Sequence, residues 1–155
     1  MWSEGVRCIE TPVGRLTLRS EGAAICAVEF GGDGLRMDDA PVLVRAENEL
    51  AEYFAGRRTA FSVPLCIRGT PFRMEVWRAL MEIPFGETVS YGEIARRIGR
   101  PKACRAVGMA NHVNALPIFV PCHRVLGTNG KLTGYAGGLE MKKYLLELEG
   151  IHVEI

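Results

Sequence analysis

The feature that most constrains this chain is a short apolar run that ends in a cluster of polar, reactive residues. Residues 116–120 read Leu-Pro-Ile-Phe-Val, and Pro121, Cys122, His123 and Arg124 follow directly. Short runs rich in β-branched and aromatic residues are typical of a buried strand. A proline fixes φ and cannot continue regular pairing. The sequence therefore predicts a strand over 116–120 that presents Cys122 at its end.

Cys122 and His123 together indicate a nucleophile with its own base. Cysteine reacts as the thiolate, and a neighbouring imidazole can take its proton directly or through a water molecule. The plainer alternative is a buried structural thiol, since free cysteine is among the most buried residue types. We apply that interpretation to the other four cysteines, which lack such neighbours: Cys8, Cys26, Cys66 and Cys104.

Composition indicates an ordinary globular protein without a metal. The 155 residues are 48% hydrophobic and 24% charged, with no apolar run long enough for a membrane span and no signal peptide pattern at the N-terminus. Five cysteines without CxxC spacing and only three histidines do not support a zinc site. We expect a reducing intracellular compartment, the cytoplasm.

Charge is distributed unevenly along the chain. Residues 1–63 carry seven Lys or Arg and ten Asp or Glu, whereas residues 64–155 carry twelve and eight. The net charges of the two parts are therefore −3 and +4. The second part is the better candidate for binding a polyanion.

The first part reads as a β-meander followed by a helix. Strands are predicted over 6–10, 14–19 and 24–30, and a helix from Asp39 to a stop at Gly56. Its apolar stripe is Leu43, Ala46, Leu50 and Phe54. We place a supporting domain at 1–65 and a second domain at 66–155, with the boundary near 64–69.

The second part contains a helix-turn-helix pattern. Thr70 and Pro71 begin one helix, and Ser90 with Glu93 forms a capping box that begins another. After a tight turn at 99–101, residues 102–110 are predicted to form the next helix. The basic residues of this region are Arg96, Arg97, Arg100, Lys102 and Arg105. A basic run is usually only a solvated face, and that interpretation stays open. The small residues beside it (Ala103, Ala106) favour close docking of this helix on a duplex groove.

The last predicted helix covers 138–150 and ends with Glu149. The helix dipole disfavours a carboxylate at that end. Two interpretations stay open: the carboxylate is held by an imidazole, or it is simply solvated.

Several of these motifs together resemble one protein family. The segment 121–125 (Pro-Cys-His-Arg-Val), Asn114 before it, and 134–139 (Gly-Tyr-Ala-Gly-Gly-Leu) after it are similar to the O6-alkylguanine-DNA alkyltransferases. The resemblance is specific over about the last 85 residues and loose over the first 60. It implies an α+β fold: a small N-terminal β-meander plus helix (ribonuclease H-like) domain, then a mostly helical, winged helix-turn-helix-like domain.

The resemblance also implies an activity, direct reversal of DNA alkylation. An alkyl group would pass irreversibly from O6 of guanine, or O4 of thymine, to Cys122. Glu149 would orient His123, which would withdraw the thiol proton through water. Tyr91 would rotate the 3′ phosphate and donate a proton to the leaving base, and Arg105 would fill the space left by the flipped base. A core aromatic and a phosphate contact are the plainer roles for these last two residues.

The remaining site residues are likewise implied by the resemblance. Asn114 would brace the turn before the nucleophile, and the carbonyls of Cys122 and Val125 would accept from the guanine amino group. Tyr135 and Ala136 would close the pocket. Family members commonly carry proline at the position of Ala115 and serine at that of Ala136. The expected DNA surface is Arg100, Lys102, Ala103, Arg105 and Ala106.

The implied partner is double-stranded DNA that contains alkylated guanine or thymine, bound by a monomer without cofactor or metal. Two other functions stay open at this point. One is a non-catalytic, alkyltransferase-like lesion binder, although such proteins lack the cysteine of this motif. The other is a cysteine hydrolase that uses Cys122 and His123, which would need an oxyanion hole.

Overall fold

The computed structural model of the chain describes residues 4–127 and 129–153. The chain divides into two units, Met1–Ile67 and Arg68–Ile155. The first combines a sheet with one helix and the second is mostly helical, so the predicted α+β class is confirmed. Within the described residues, no helix is long and apolar enough to cross a membrane.

In the first unit, three strands form an antiparallel sheet in the order β1-β2-β3. The strands are β1 (Glu4–Thr11), β2 (Gly14–Glu21) and β3 (Ala24–Phe30). Helix α1 (Pro41–Phe54) contacts all three strands. Its predicted stripe is buried at Leu43, Ala46 and Leu50, whereas Phe54 is only half-buried and Tyr53 fills the interior position beside it.

Among its described residues, the second unit contains four α-helices and a pair of two-residue strands. The helices are α2 (Pro71–Met81), α3 (Tyr91–Arg97), α4 (Cys104–His112) and α5 (Leu139–Leu148). The predicted caps form: Thr70 Oγ1 accepts from the Arg73 amide at 3.2 Å, and Ser90 Oγ accepts from the Glu93 amide at 3.0 Å. The strands β4 (Val89–Ser90) and β5 (Val125–Leu126) pair in parallel.

Helix α4 begins later than predicted. Lys102 and Ala103 lie in the turn, because the Ala103 amide bonds to the Arg100 carbonyl at 2.9 Å and closes that turn. The first helical bond then runs from Val107 to the Ala103 carbonyl. Ala103 is thus the N-cap residue of α4 rather than a residue of its body.

The prediction of a strand over 116–120 is wrong. The segment folds into a turn that the Val120 amide closes on the Leu116 carbonyl at 2.9 Å, and Ile118 has φ of +75°. All the residues from 116 to 120 are nevertheless buried. Burial of this apolar run was predicted correctly, but burial alone does not distinguish a strand from a turn.

Trp77 on α2 holds the end of α4. The last carbonyls of a helix have no partner within the helix, and Trp77 Nε1 donates to one of them, the Ala110 carbonyl, at 2.8 Å. Both residues are buried. This bond therefore fixes the C-terminal end of α4.

We predict that Trp77→Phe destabilises the second unit by about 2 kcal/mol, because a buried carbonyl loses its donor and the smaller ring leaves space. Urea unfolding followed by circular dichroism measures the change. Met81→Ala, at an exposed position of the same helix, is the control and should change stability much less. Equal effects of the two substitutions would contradict this role of Trp77.

Candidate active site

Cys122 lies in a 3-10 turn, Cys122–Arg124, between the 116–120 turn and β5. It is 4% exposed. Burial raises the pKa of its thiol, and the side chain of Asn114 and the ammonium group of Lys142 only partly oppose that shift. The thiol is therefore protonated at neutral pH in the free protein, and it needs a base to become a nucleophile.

His123 is fully buried and bound to a carboxylate. Its Nε2 lies 2.7 Å from Oε2 of Glu149. Burial lowers the pKa of the imidazole despite this carboxylate, so the ring is neutral at pH 7. Because an ionised carboxylate only accepts hydrogen bonds, Nε2 carries the proton and Nδ1 keeps a lone pair. Nδ1 has no hydrogen-bond partner among the described residues, so it is available as a proton acceptor.

Glu149 is the C-cap residue of α5, where the dipole is unfavourable. Several donors compensate. Arg124 binds the carboxylate with two nitrogens, Nε to Oε1 at 2.8 Å and Nη2 to Oε2 at 3.0 Å, and the Gly86 amide donates to Oε1 at 3.2 Å. Of the two interpretations open from the sequence, the held carboxylate is the one observed.

Arg124 is a buried part of this network for which no role was predicted. Besides binding Glu149, its Nη1 donates to the Ile83 carbonyl at 2.6 Å. Its guanidinium carbon lies 5.9 Å from the centre of the Phe85 ring. A two-point Arg–carboxylate contact fixes the orientation of both groups, so Arg124 sets the direction in which Glu149 faces His123.

Lys142 and Thr133 also approach the site without having been predicted. Lys142 is fully buried on α5, and its Nζ donates to the Thr133 carbonyl at 2.7 Å. Burial lowers the pKa of Lys142 to about 8. A signal existed: Lys142 precedes Leu145 and Leu146 by three and four residues, which places it on the buried face of α5.

Tyr91 is the first residue of α3 and is half-buried. Its hydroxyl accepts from Thr133 Oγ1 at 3.2 Å. Burial raises the pKa of this phenol, and the nearby side chains of Thr133 and Asn111 oppose the shift. Tyr91 is therefore protonated at neutral pH and keeps a proton to donate.

Two asparagines bind the backbone around the nucleophile. Asn114 Nδ2 donates to the Val120 carbonyl at 2.9 Å, and its Oδ1 accepts from the Leu116 amide at 2.9 Å, so it spans the turn. Asn111, which the sequence did not single out, donates from Nδ2 to the Cys122 carbonyl at 3.3 Å. Of the expected pocket residues, Val125 and Tyr135 are buried and Ala136 is exposed.

The basic residues of the expected DNA surface differ from one another in whether an acidic side chain pairs with them. Lys102, Arg105 and Ala106 are exposed, and neither Lys102 nor Arg105 has a salt-bridge partner within residues 4–127 and 129–153. Arg100 instead lies 3.5 Å from Glu75. Arg96 and Arg97 both bind Glu93, at 2.9 and 3.2 Å. Cys104 is exposed on this surface as well, so the structural interpretation given to it is wrong.

Across the described parts of the chain, no group of three or more His, Cys, Asp or Glu side chains gathers where it could hold a metal ion. The polar groups around Cys122 are thus a base, its carboxylate, a lysine and two amides. These groups suit proton transfer from a thiol.

Comparisons with known proteins agree with this organisation. Residues 71–151 match the family model described as 6-O-methylguanine DNA methyltransferase, DNA binding domain. Residues 6–67 match the ribonuclease-like domain of the same methyltransferase. A methylated-DNA–protein-cysteine methyltransferase of Methanosarcina acetivorans is 49% identical over 148 residues, which cover 91% of this chain and 95% of the relative. A constitutive one of Bacillus subtilis is 47% identical, with 92% and 93% covered.

Solved structures give the same result. The crystal structure of Mycobacterium tuberculosis O6-methylguanine methyltransferase superposes with a TM-score of 0.86 at 46% identity, covering 95% of this chain and 93% of that one. The Mycobacterium tuberculosis protein in complex with DNA also gives 0.86, at 48% identity and with 94% and 92% covered.

The fold and the site define a two-domain protein whose helical domain carries a buried Cys-His-Glu arrangement beside a helix-turn-helix. The chain belongs to the 6-O-methylguanine DNA methyltransferase family.

We predict that Lys142→Met slows the reaction of Cys122 with methyl methanethiosulfonate about three- to tenfold at pH 7, because the thiolate loses a nearby positive charge. The lysine is itself charged only below its pKa of about 8. The difference from the unmodified protein should therefore shrink as pH rises through 8. Mass spectrometry of the Cys122 peptide follows the reaction.

Lys143→Met is the matched control, since Lys143 is the adjacent lysine and lies 4.0 Å from Glu147 on the same helix. It should leave the rate unchanged. A rate that is the same for Lys142→Met and Lys143→Met at every pH would show that Lys142 does not act on the thiol.

Proposed function

We propose that this protein repairs DNA by taking the alkyl group of O6-alkylguanine, and of O4-alkylthymine, onto Cys122. The observation that carries the proposal is the 2.7 Å contact of His123 Nε2 with Glu149, which leaves Nδ1 without a partner among the described residues and able to accept the proton of the neighbouring Cys122. Family membership supports it, because the relatives are named as methyltransferases that act on methylated DNA and their own cysteine.

The proposed reaction is a single displacement at carbon. Nδ1 of His123 accepts the thiol proton through a water molecule, while Glu149 stabilises the imidazolium that forms. The sulfur then attacks the alkyl carbon, the carbon–oxygen bond breaks, and its electron pair returns to the base. Tyr91 donates a proton to the leaving guanine. The product thioether has no carbonyl that water could attack, so each molecule reacts once.

The lesion must leave the duplex to reach a buried thiol, at a cost of a few kcal/mol. We propose that α4 docks on the duplex and that Arg105 fills the vacated space. Support comes from the exposed charges of Lys102 and Arg105, which have no salt-bridge partner in the part of the chain that the structure describes, beside the small residues Ala103 and Ala106. Arg100 contributes less in this scheme, because Glu75 already partly neutralises it.

We propose that the protein acts as a monomer, because one compact unit, Arg68–Ile155, supplies all the proposed site residues. The reaction also requires a reduced thiol, and the five cysteines are free. We therefore place the activity in a reducing compartment such as the cytoplasm.

Two other functions have less support from the site. A non-catalytic lesion binder would have no use for a thiol beside a neutral, carboxylate-oriented imidazole. A cysteine hydrolase requires donors arranged for an oxyanion. The side-chain amides of Asn111 and Asn114 instead donate to the backbone carbonyls of Cys122 and Val120.

We predict that mixing the protein with excess duplex DNA containing O6-methylguanine adds one methyl group, once, to the intact mass. The thioether cannot be hydrolysed, so longer incubation should add nothing. Cys122→Ala should show no addition, and Cys66→Ala, a free cysteine in the first unit, should react normally.

Each alternative predicts a different result in this experiment. Tight binding without a mass change would indicate the lesion binder. Repeated turnover of an ester would indicate the hydrolase, and methylation that persists in Cys122→Ala would place the nucleophile elsewhere.

We predict that the single-turnover transfer rate is constant near neutral pH and falls only below pH 6.5. The reason is that burial holds the pKa of His123 under its ordinary value of 6.5, and the base works only when neutral. Replacing the base in His123→Asn should lower the rate by about 10²-fold or more and remove this acidic limb. A limb that persists in His123→Asn would assign it to another group.

A further inference from the structure

Asn111 presents an unused hydrogen-bond acceptor next to the nucleophile. The residue lies on the inward face of α4 and is 4% exposed. Its Nδ2 donates to the Cys122 carbonyl at 3.3 Å. The other end of the amide, Oδ1, has no hydrogen-bond partner among the described residues.

A buried carbonyl without a donor is costly, and native proteins leave few of them. The one on Asn111 stands at the reaction site rather than in the remote core. The same side chain lies close enough to the Tyr91 hydroxyl to lower the pKa of that phenol. Asn111 therefore lies between the proposed proton donor and the backbone of the nucleophile, where a flipped base would be held.

The alkylated bases differ in what they can offer to such an acceptor. Alkylation at O6 removes the N1 proton of guanine, so the amino group on C2 is the only donor left on its Watson–Crick edge. Alkylation at O4 likewise removes the N3 proton of thymine, which has no amino group. An extra acceptor in the pocket would therefore form a hydrogen bond with O6-alkylguanine but not with O4-alkylthymine.

We propose that Asn111 is a specificity-determining residue whose Oδ1 accepts a hydrogen bond from the C2 amino group of the flipped O6-alkylguanine. Its Nδ2, bound to the Cys122 carbonyl, holds the amide in the orientation that presents Oδ1. This inference rests on the proposed function. It adds to it a reason for preferring guanine over thymine lesions, beyond the backbone carbonyls of Cys122 and Val125.

The test removes first the C2 amino group of the base and then the Oδ1 acceptor of Asn111. Single-turnover methyl transfer is measured for three duplexes that carry O6-methylguanine, O6-methylhypoxanthine, which lacks only the amino group, or O4-methylthymine. The proteins are the unmodified chain, Asn111→Leu, and Asn111→Ala as a second variant in case leucine prevents folding. His112→Leu, at the neighbouring exposed position, is the control.

The informative quantity is the rate for O6-methylguanine divided by the rate for O6-methylhypoxanthine in the same preparation. A ratio does not depend on the fraction of folded protein. Losing one hydrogen bond should lower it about three- to tenfold in Asn111→Leu and Asn111→Ala. The preference over O4-methylthymine should fall by a similar factor, and His112→Leu should keep both ratios.

An unchanged ratio overturns the inference, even if all rates fall, because a uniform loss means that Asn111 only supports Cys122. That result leaves the proposed function intact, since methyl transfer still occurs. Absence of transfer from O6-methylguanine in the unmodified protein is a different outcome, which overturns the proposed function and this inference together.

Discussion

The site is held together by the hydrogen bonds that the buried carboxylate of Glu149 accepts. It accepts from His123 at 2.7 Å, from Arg124 through two nitrogens and from the Gly86 amide. These partners bring together the end of α5, the 3-10 turn and the segment after α2. Buried charge of this kind gives little net stability, but removing one partner leaves an uncompensated charge and costs about 3–5 kcal/mol. The main effect of the network is therefore to fix the orientation of His123, Arg124 and Glu149 relative to one another.

Burial also sets the protonation states that the chemistry needs. It raises the pKa of the Cys122 thiol and lowers those of His123 and Lys142. The resting site thus holds a neutral thiol and a neutral base, and Glu149 favours the imidazolium once the proton moves. In the proposed reaction, the thiolate forms only when His123 accepts this proton.

Helix α4 serves two surfaces at once. Its outer residues, such as Arg105 and Ala106, are exposed, while Asn111 at its other end reaches the Cys122 carbonyl. Trp77 fixes the helix through the Ala110 carbonyl. If α4 docks on a duplex as proposed, this one element of nine residues couples binding of the duplex by its outer face to the position of Cys122.

Most of the secondary structure and the candidate nucleophile could be predicted from the sequence, because their signals are local. Alternation and capping residues located the meander and the helices, and the adjacency of Cys122 and His123 indicated the candidate nucleophile. The turn at 116–120, and the approach of Arg124, Lys142 and Asn111 to the site, became visible only in the folded chain. An apolar run can be buried in any conformation, and a polar residue acquires its role from partners up to 63 positions away in the sequence.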